Sequence, residues 1–453
     1  MLTANNKTNS ATEHYYLYLY IDNNTFIYTQ NENTPEIILT IEDENNNEIT
    51  SISGLTHTTV TDASGASITG FDITNKSGLI TLLDNKEITT TSSITENWNV
   101  TVTYINYDAD QSKNAGKKFD AEIMIQKEKA LTVLSDVCTS GDNLTNCITT
   151  LSSKSNPNLT NIYHHDSSLT NGAGDNSYRY AGPSDSVNNF ICFGSTISPC
   201  PENNLYRIIG VIGDKVKLIK YDYMTTGELG TNGDYMVTYK VWGMNDTYKG
   251  TYGDGEKIGV YRWNYNANTT INDGQGSNTW STSLFNKTNL NTNFINYLGT
   301  EWSNKIATTT WKVGGNTWDN IVNVIPSITY QNEITNPDTT NTTDNATTYD
   351  AKIGLMYVND YGFAAATSAW GFEMNYYEHE DMASNNWMYM GLYEWTLSRI
   401  SDDSYNVFNV NNDGNLSANV VGNIFAGRAV FNLESSITYK SGTGTMDDPI
   451  LIN

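Results

Sequence analysis

Positive charge, proline and long apolar runs are all in short supply, and each shortage narrows what the chain can do. There are 25 Lys and Arg against 50 Asp and Glu, a net charge of −25 over 453 residues. A protein that grips phosphate needs a basic face, because its affinity comes largely from neutralising phosphates. Nucleic acid and anionic membranes are therefore poor partners. No apolar stretch approaches the roughly 20 residues that cross a bilayer. Proline numbers only 8, and long runs of Ala, Glu, Lys and Leu are scarce, which argues against a mostly helical protein. The first ten residues, MLTANNKTNS, are polar and unlike a signal peptide. The preferred expectation is an ectodomain cut from a longer precursor, attached to a membrane only through an anchor outside this chain. The other route is a phage product released by lysis.

Catalytic signatures are missing as well. There is no G-x-S-x-G, P-loop or dinucleotide fingerprint. The histidines are His14, His57, His164, His165 and His379. His164 and His165 sit in an Asn- and Ser-rich stretch, with no H-E-x-x-H pattern, and read as solvated linker. His379 lies among Glu378, Glu380 and Asp381; carboxylates around a histidine suit acid–base or metal chemistry, but a charged loop accounts for them equally. A glycosidase needs two carboxyl groups at a definite separation, and in so acidic a chain chance pairs are expected. The expectation is a non-catalytic protein.

What is abundant is Asn, Thr, Ser and Tyr, with 30 Tyr and 10 Trp. Tyr and Thr favour strands, and Asn, Asp and Gly favour turns, so the chain reads as mainly β. The surplus carboxylates also leave oxygen ligands for Ca²⁺. The four cysteines form two close pairs, Cys138 with Cys147 and Cys192 with Cys200. Neither spacing suits zinc or a C-x-x-C redox pair. Two short-range disulfides follow, and with them an oxidising, extracellular setting.

Along the chain, residues 1–126 read as a β-sandwich. Strands are expected at Tyr15–Asp22 and Pro35–Ile41. In Trp98–Tyr107, Trp98, Val100, Val102 and Tyr104 alternate with polar residues, a period of two that buries one face. Phe119, Ala121, Ile123 and Ile125 alternate in the same way, and the two runs are expected to pair across the polar DADQSKNAGK connection. Residues 127–177 read as a linker containing the first disulfide loop, with the domain boundary in its Asn-, Ser- and Gly-rich part. Residues 178–453 read as a larger α+β domain. Gly213-Asp214 between Leu205–Ile212 and Lys215–Tyr223 predicts a hairpin. Phe294, Ile295, Leu298, Trp302 and Ile306 predict a helix over 288–307. The low-complexity segment 331–350 reads as an exposed loop, Ile353–Val358 as a strand, and Asn359-Asp360-Tyr361-Gly362 as a turn.

Two stretches carry resemblances. WNVTVTYINYDADQSKNAGKKFDAEIMIQ, residues 98–126, resembles the end of the β-sandwich of camelysin and TasA-like surface or fibre proteins. Residues 178–453 include SYRYAGPSDSVNNFICFGSTISPCPENNLYRIIGVIGDKVKLIKYDY, NTWSTSLFNKTNLNTNFINYL, IGLMYVNDYGFAAA and NNWMYMGLYEWTLSR. They close with VFNVNNDGNLSANVVGNIFAGRAVFNLESSITYKSGTGTMDDPILI. This series resembles an uncharacterised domain of Firmicutes cell-surface proteins, related to the C-type-lectin-like, formylglycine-generating-enzyme-like fold. The resemblance implies an exported cell-surface protein of the kind associated with fibres or pili, and it implies no known activity. The enzymes of that fold use cysteines late in the domain, and this chain has none after Cys200.

Two constellations remain as candidate sites. Aromatics are dense between Trp370 and Trp395. Tyr376, Tyr377 and Tyr393 are candidates for stacking faces, and Asn375, Asn385 and Asn386 for paired donors and acceptors. Trp387 and Trp395 are the expected core members. Asn409, Asn411 and Asp413, followed by Gly414, partly match a Ca²⁺ loop; a plain β-turn is the simpler reading, since only Asp413 is charged. The expected function is adhesion or ligand binding at a bacterial surface, to a protein or a glycan. The alternatives are a self-assembling fibre or pilus subunit, a phage receptor-binding protein and a glycan-active enzyme.

Overall fold

The computed structural model describes residues 2–6, 12–89, 94–238, 248–250, 258–339, 346–377 and 385–453. The chain is mainly β, with several antiparallel sheets. It divides into two compact units, Met1–Ala130 and Leu131–Asn453.

The first unit holds β1 (Leu2–Asn6), β2 (Thr12–Asn24), β3 (Ile37–Asp43), β4 (His57–Thr61), β5 (Ser67–Asp72), β6 (Gly78–Thr89), β7 (Ile94–Tyr104) and β8 (Phe119–Gln126). One sheet runs β1-β7-β3-β5-β4 and the other β6-β2-β8. Alternation decides which side faces in. Leu17, Leu19 and Ile21 of β2 meet Ile37, Leu39 and Ile41 of β3, with Phe71, Leu82 and Trp98, in one core. The indole of Trp98 donates to the Tyr15 hydroxyl at 2.8 Å, and that hydroxyl donates to Glu96 at 2.6 Å. These bonds link β2 of one sheet to β7 of the other.

The two alternating runs do not pair with each other. β7 pairs with β1 and β3, whereas β8 pairs with β2 in the opposite sheet. The connection is a crossover between sheets rather than a hairpin. Asn114 fixes it, accepting from the Ile27 N–H at 3.1 Å and donating to the Ile27 carbonyl at 2.9 Å.

In the second unit a 7-stranded sheet forms the centre. Its strands include β9 (Ile162–His165), β10 (Ser177–Tyr180), β11 (Phe190–Cys192), β12 (Leu205–Ile212) and β13 (Lys215–Lys220). Val430–Asn432 and Ile353–Gly354 extend it beyond β13. β12 and β13 form the expected hairpin about Gly213-Asp214, with Gly213 at φ 65°, a conformation glycine adopts freely. The expected helix over 288–307 is found at 285–303, wound widely over Phe285–Phe294 and broken in φ at Gly299. Its residues Leu290, Phe294, Leu298 and Trp302 enter the core.

Three expectations are corrected here. Residues 131–177 are not a linker. Helix α1, Leu144–Lys154, is capped by the Asn143 side chain and buries Leu144, Cys147, Ile148 and Leu151; β9 then pairs with β10. Spacings of three and four put those residues on one helix face, a pattern obscured by the polar residues between them. Segment 331–350 is not simply an exposed loop. Glu333 is buried, and Thr348–Ala351 pairs with Thr309–Lys312; residues 340–345 lie outside the described residues. Finally, Asn359-Asp360-Tyr361-Gly362 is not a turn but lies in the buried helix Val358–Ala364. Asp360 reaches back to the Tyr357 N–H at 3.0 Å, and Glu333 accepts from the Val358 and Asn359 N–H groups at 3.0 Å. These bonds satisfy the N-terminal donors that a helix start leaves open.

Both disulfides are present, Cys138–Cys147 and Cys192–Cys200. Among the described residues no helix is long and apolar enough to cross a membrane.

Candidate binding surfaces

Most of the aromatic stretch proposed as a ligand surface is core. Trp370, Trp387 and Trp395 are buried, and each indole N–H donates to a carbonyl: Ala365 at 3.1 Å, Tyr180 at 2.8 Å and Tyr261 at 2.8 Å. Tyr377 is also buried, at 0 % exposure, and its hydroxyl donates to the Ala369 carbonyl at 3.2 Å. Burial pushes that hydroxyl well above the usual tyrosine range. Asn386 is likewise internal, donating to the Tyr361 carbonyl at 2.8 Å and accepting from the Met388 N–H at 2.9 Å. Tyr377 and Asn386 are therefore structural, because the residues around them close over both. Tyr393 is half-buried and stacked on Phe425 at 5.1 Å. Asn385 is exposed. His379 and its acidic neighbours lie outside the described residues.

What stays open is smaller. Tyr376 is 59 % and Phe372 51 % exposed. Between them Asn375 is half-buried and donates to the Asn323 side chain at 3.1 Å.

The proposed Ca²⁺ loop is the turn of a hairpin between Asn406–Val410 and Leu416–Val420. The amide oxygens of Asn409 and Asn411 are already used. Asn409 Nδ2 donates to Asn411 Oδ1 at 2.8 Å, Asn419 donates to Asn409 Oδ1 at 2.8 Å, and Asp413 accepts from the Asn415 N–H at 3.0 Å. Asn409 is buried. Two candidate regions of the sequence do meet here: Tyr389 OH donates to the Asn412 carbonyl at 2.5 Å and Tyr361 OH to the Gly414 carbonyl at 2.7 Å. The turn is held by protein groups, and no group of three His, Cys, Asp or Glu side chains placed to hold a metal ion occurs among the described residues.

The histidine pair is not solvated linker. His164 stacks on Tyr178 at 4.3 Å. His165 is buried against Phe363 and Trp370, and its Nδ1 accepts from the Ala173 N–H at 3.0 Å. Burial holds its pKa down at about 3, so the ring is neutral at ordinary pH.

The first unit exposes a surface that the sequence led one to expect inside. Val102 and Tyr104 pair with Leu39 and Ile37 of β3, so they share the inner face of their sheet. Ile125 and Ile123 pair with Leu17 and Leu19 of β2, on the inner face of the other. Yet Val102 is 39 %, Tyr104 45 %, Ile123 39 % and Ile125 39 % exposed. Among the described residues β8 is the last strand of its sheet, and β1 pairs with Ile94–Trp98 of β7. Tyr104 packs on Phe26 at 5.4 Å, just beyond the end of β2.

The second unit contains buried ionic groups that sequence reading did not single out. Arg428 is held by both carboxylate oxygens of Glu394, at 2.8 and 2.9 Å. Asp360 receives Lys217 Nζ at 2.5 Å and Arg179 Nη1 at 3.4 Å. Arg179 also binds Asp175 at 2.9 Å and the Ser177 hydroxyl at 2.8 Å. No local motif marks such partners, because Lys217 and Asp360 lie 143 positions apart.

Comparison with known proteins adds no relative: no family model, no curated protein and no solved structure matches the chain.

Proposed function

We propose that this is an extracellular bacterial surface protein that works by binding rather than catalysis, and that its first unit is an assembly module of a fibre or pilus. One observation carries the reading: Val102, Tyr104, Ile123 and Ile125 lie on the inner faces of two sheets but remain 39–45 % exposed, and β8 is the last strand of its sheet among the described residues. An unpaired edge offers N–H and C=O groups to an incoming strand, and apolar inner-face side chains offer pockets to its alternate residues. The two disulfides are compatible with life outside the cell. The camelysin and TasA-like resemblance of residues 98–126 points the same way.

A second reading, adhesion through the lectin-like unit to a protein or glycan, is favoured by the exposed Phe372 and Tyr376, whose flat apolar faces suit such partners. Electron microscopy and sedimentation of the purified protein separate the two. The assembly reading expects concentration-dependent filaments or strand-paired oligomers. Val102→Lys with Ile123→Lys, which places charge inside the opening, should abolish them. Monodisperse particles at every concentration would refute assembly and leave adhesion.

A further inference from the structure

We propose that Lys217 and Asp360 condense into an intramolecular amide cross-link that ties β13 to the helix Val358–Ala364. The two side chains are already in contact, Nζ to Oδ2 at 2.5 Å, with exposures of 5 % and 1 %. The Tyr357 ring lies 4.6 Å from Nζ and the Trp311 ring 5.8 Å, so aromatic walls take the place of water. An ion pair in such surroundings bears a heavy desolvation cost. Burial pulls the Lys217 amine below its ordinary pKa, which favours the uncharged amine. The uncharged amine is the form that can act as a nucleophile.

The step balances without any added reagent. A proton passes from the ammonium to Oδ2, and the freed Nζ attacks Cγ. The new bond is Nζ–Cγ; the bond from Cγ to Oδ2 breaks, and Oδ2 departs as water with a second proton from the nitrogen. Nothing is oxidised or reduced. Charge developing on Oδ1 faces the Arg179 guanidinium at 3.4 Å, a fixed cation suited to an oxyanion. Arg179 does not depend on Asp360 for its position, since Asp175 and Ser177 hold it. Glu333 is a positioning residue: its oxygens fix the Val358 and Asn359 N–H groups and so the helix start that presents Asp360. Holding amine and acid together this way supplies the proximity that makes an otherwise slow condensation fast.

The molecule carries its own control. Lys220 and Glu228 are equally buried, but Nζ stands 3.2 Å from the carboxylate and donates to the Asn203 carbonyl at 2.6 Å. The other Glu228 oxygen is taken by the Thr225 N–H and hydroxyl. No guanidinium is hydrogen-bonded to Glu228 among the described residues, so this pair remains an ion pair.

Intact-mass spectrometry of the purified, unreduced full chain tests the proposal. The expected mass is that of the sequence with two disulfides, less one water. After reduction, denaturation and trypsin, Lys217 should resist cleavage and appear in a branched peptide with Asp360. Lys217→Met should restore the full mass, and Lys220→Met should still lack the water. If Lys217→Met fails to fold, the wild-type mass and the branched peptide decide alone. A wild-type mass equal to the two-disulfide chain, with normal cleavage after Lys217, overturns the proposal.

Discussion

The two units treat their side chains in opposite ways. The first leaves apolar groups on its inner faces open, with Val102, Tyr104, Ile123 and Ile125 all exposed. The second buries even its ions, among them Arg179, Lys217, Asp360, Glu394 and Arg428. The proposed assembly role rests on that exposed inner-face surface. Glu394 pairs with Arg428, and Asp360 with Lys217 and Arg179, inside that unit. Under the proposed function, assembly would fall to the first unit and display to the second.

The contrast can be broken most forcefully in the second unit. Glu394→Ala would leave Arg428 buried without its carboxylate, which typically costs about 3–5 kcal/mol. Chemical denaturation should register that loss in the unfolding of the second unit only; an unchanged midpoint would mean that the pair is not buried as described.

Acid should also act on the second unit, through His165. Its folded pKa is about 3 against the ordinary 6.5, so the unfolded chain takes up the proton first. The stabilisation is complete above pH 6.5 and falls by about 1.4 kcal/mol for each pH unit below it, a loss of about 3 kcal/mol at pH 4. His165→Asn, which keeps an acceptor for the Ala173 N–H, should flatten that slope in thermal melts at matched ionic strength. An identical slope in both proteins would assign the acid sensitivity to other groups.

The smallest effect belongs to the outer surface. Phe372→Ala with Tyr376→Ala removes only exposed rings, so stability should stay within about 0.5 kcal/mol of wild type. If the adhesion reading holds, a glycan and protein binding array should lose its signal in this variant. A large drop in melting temperature would show that these rings are packed and would withdraw them as a ligand surface.

Much of the architecture was legible in the chain. Alternation located β7 and β8 and their inner faces, because a strand's period of two is a local property. The Gly213-Asp214 hairpin and both disulfides were legible for the same reason, since the interacting residues are close in sequence. Trp387 and Trp395 were correctly expected in the core. The candidate site fared less well. Tyr376 and Tyr377 are neighbours in one polar stretch, yet Tyr376 is exposed and Tyr377 is buried. Which of two adjacent tyrosines turns inward depends on what lies above each, and sequence neighbours do not reveal that. Likewise the turn chemistry of Asn359-Asp360-Tyr361-Gly362 was overruled by Glu333, which caps the helix from 26 positions away in the case of Asn359.

By itself, then, the sequence determined the strand content, the facing of alternate residues, the pairing of cysteines and the acidic surface, all set by composition or by residues a few positions apart. Only the tertiary structure decided that β7 and β8 belong to opposite sheets, that their inner faces lie open, and that Lys217 meets Asp360. Coverage and ion pairing are made by distant segments, and their energies depend on which groups exclude water from which others.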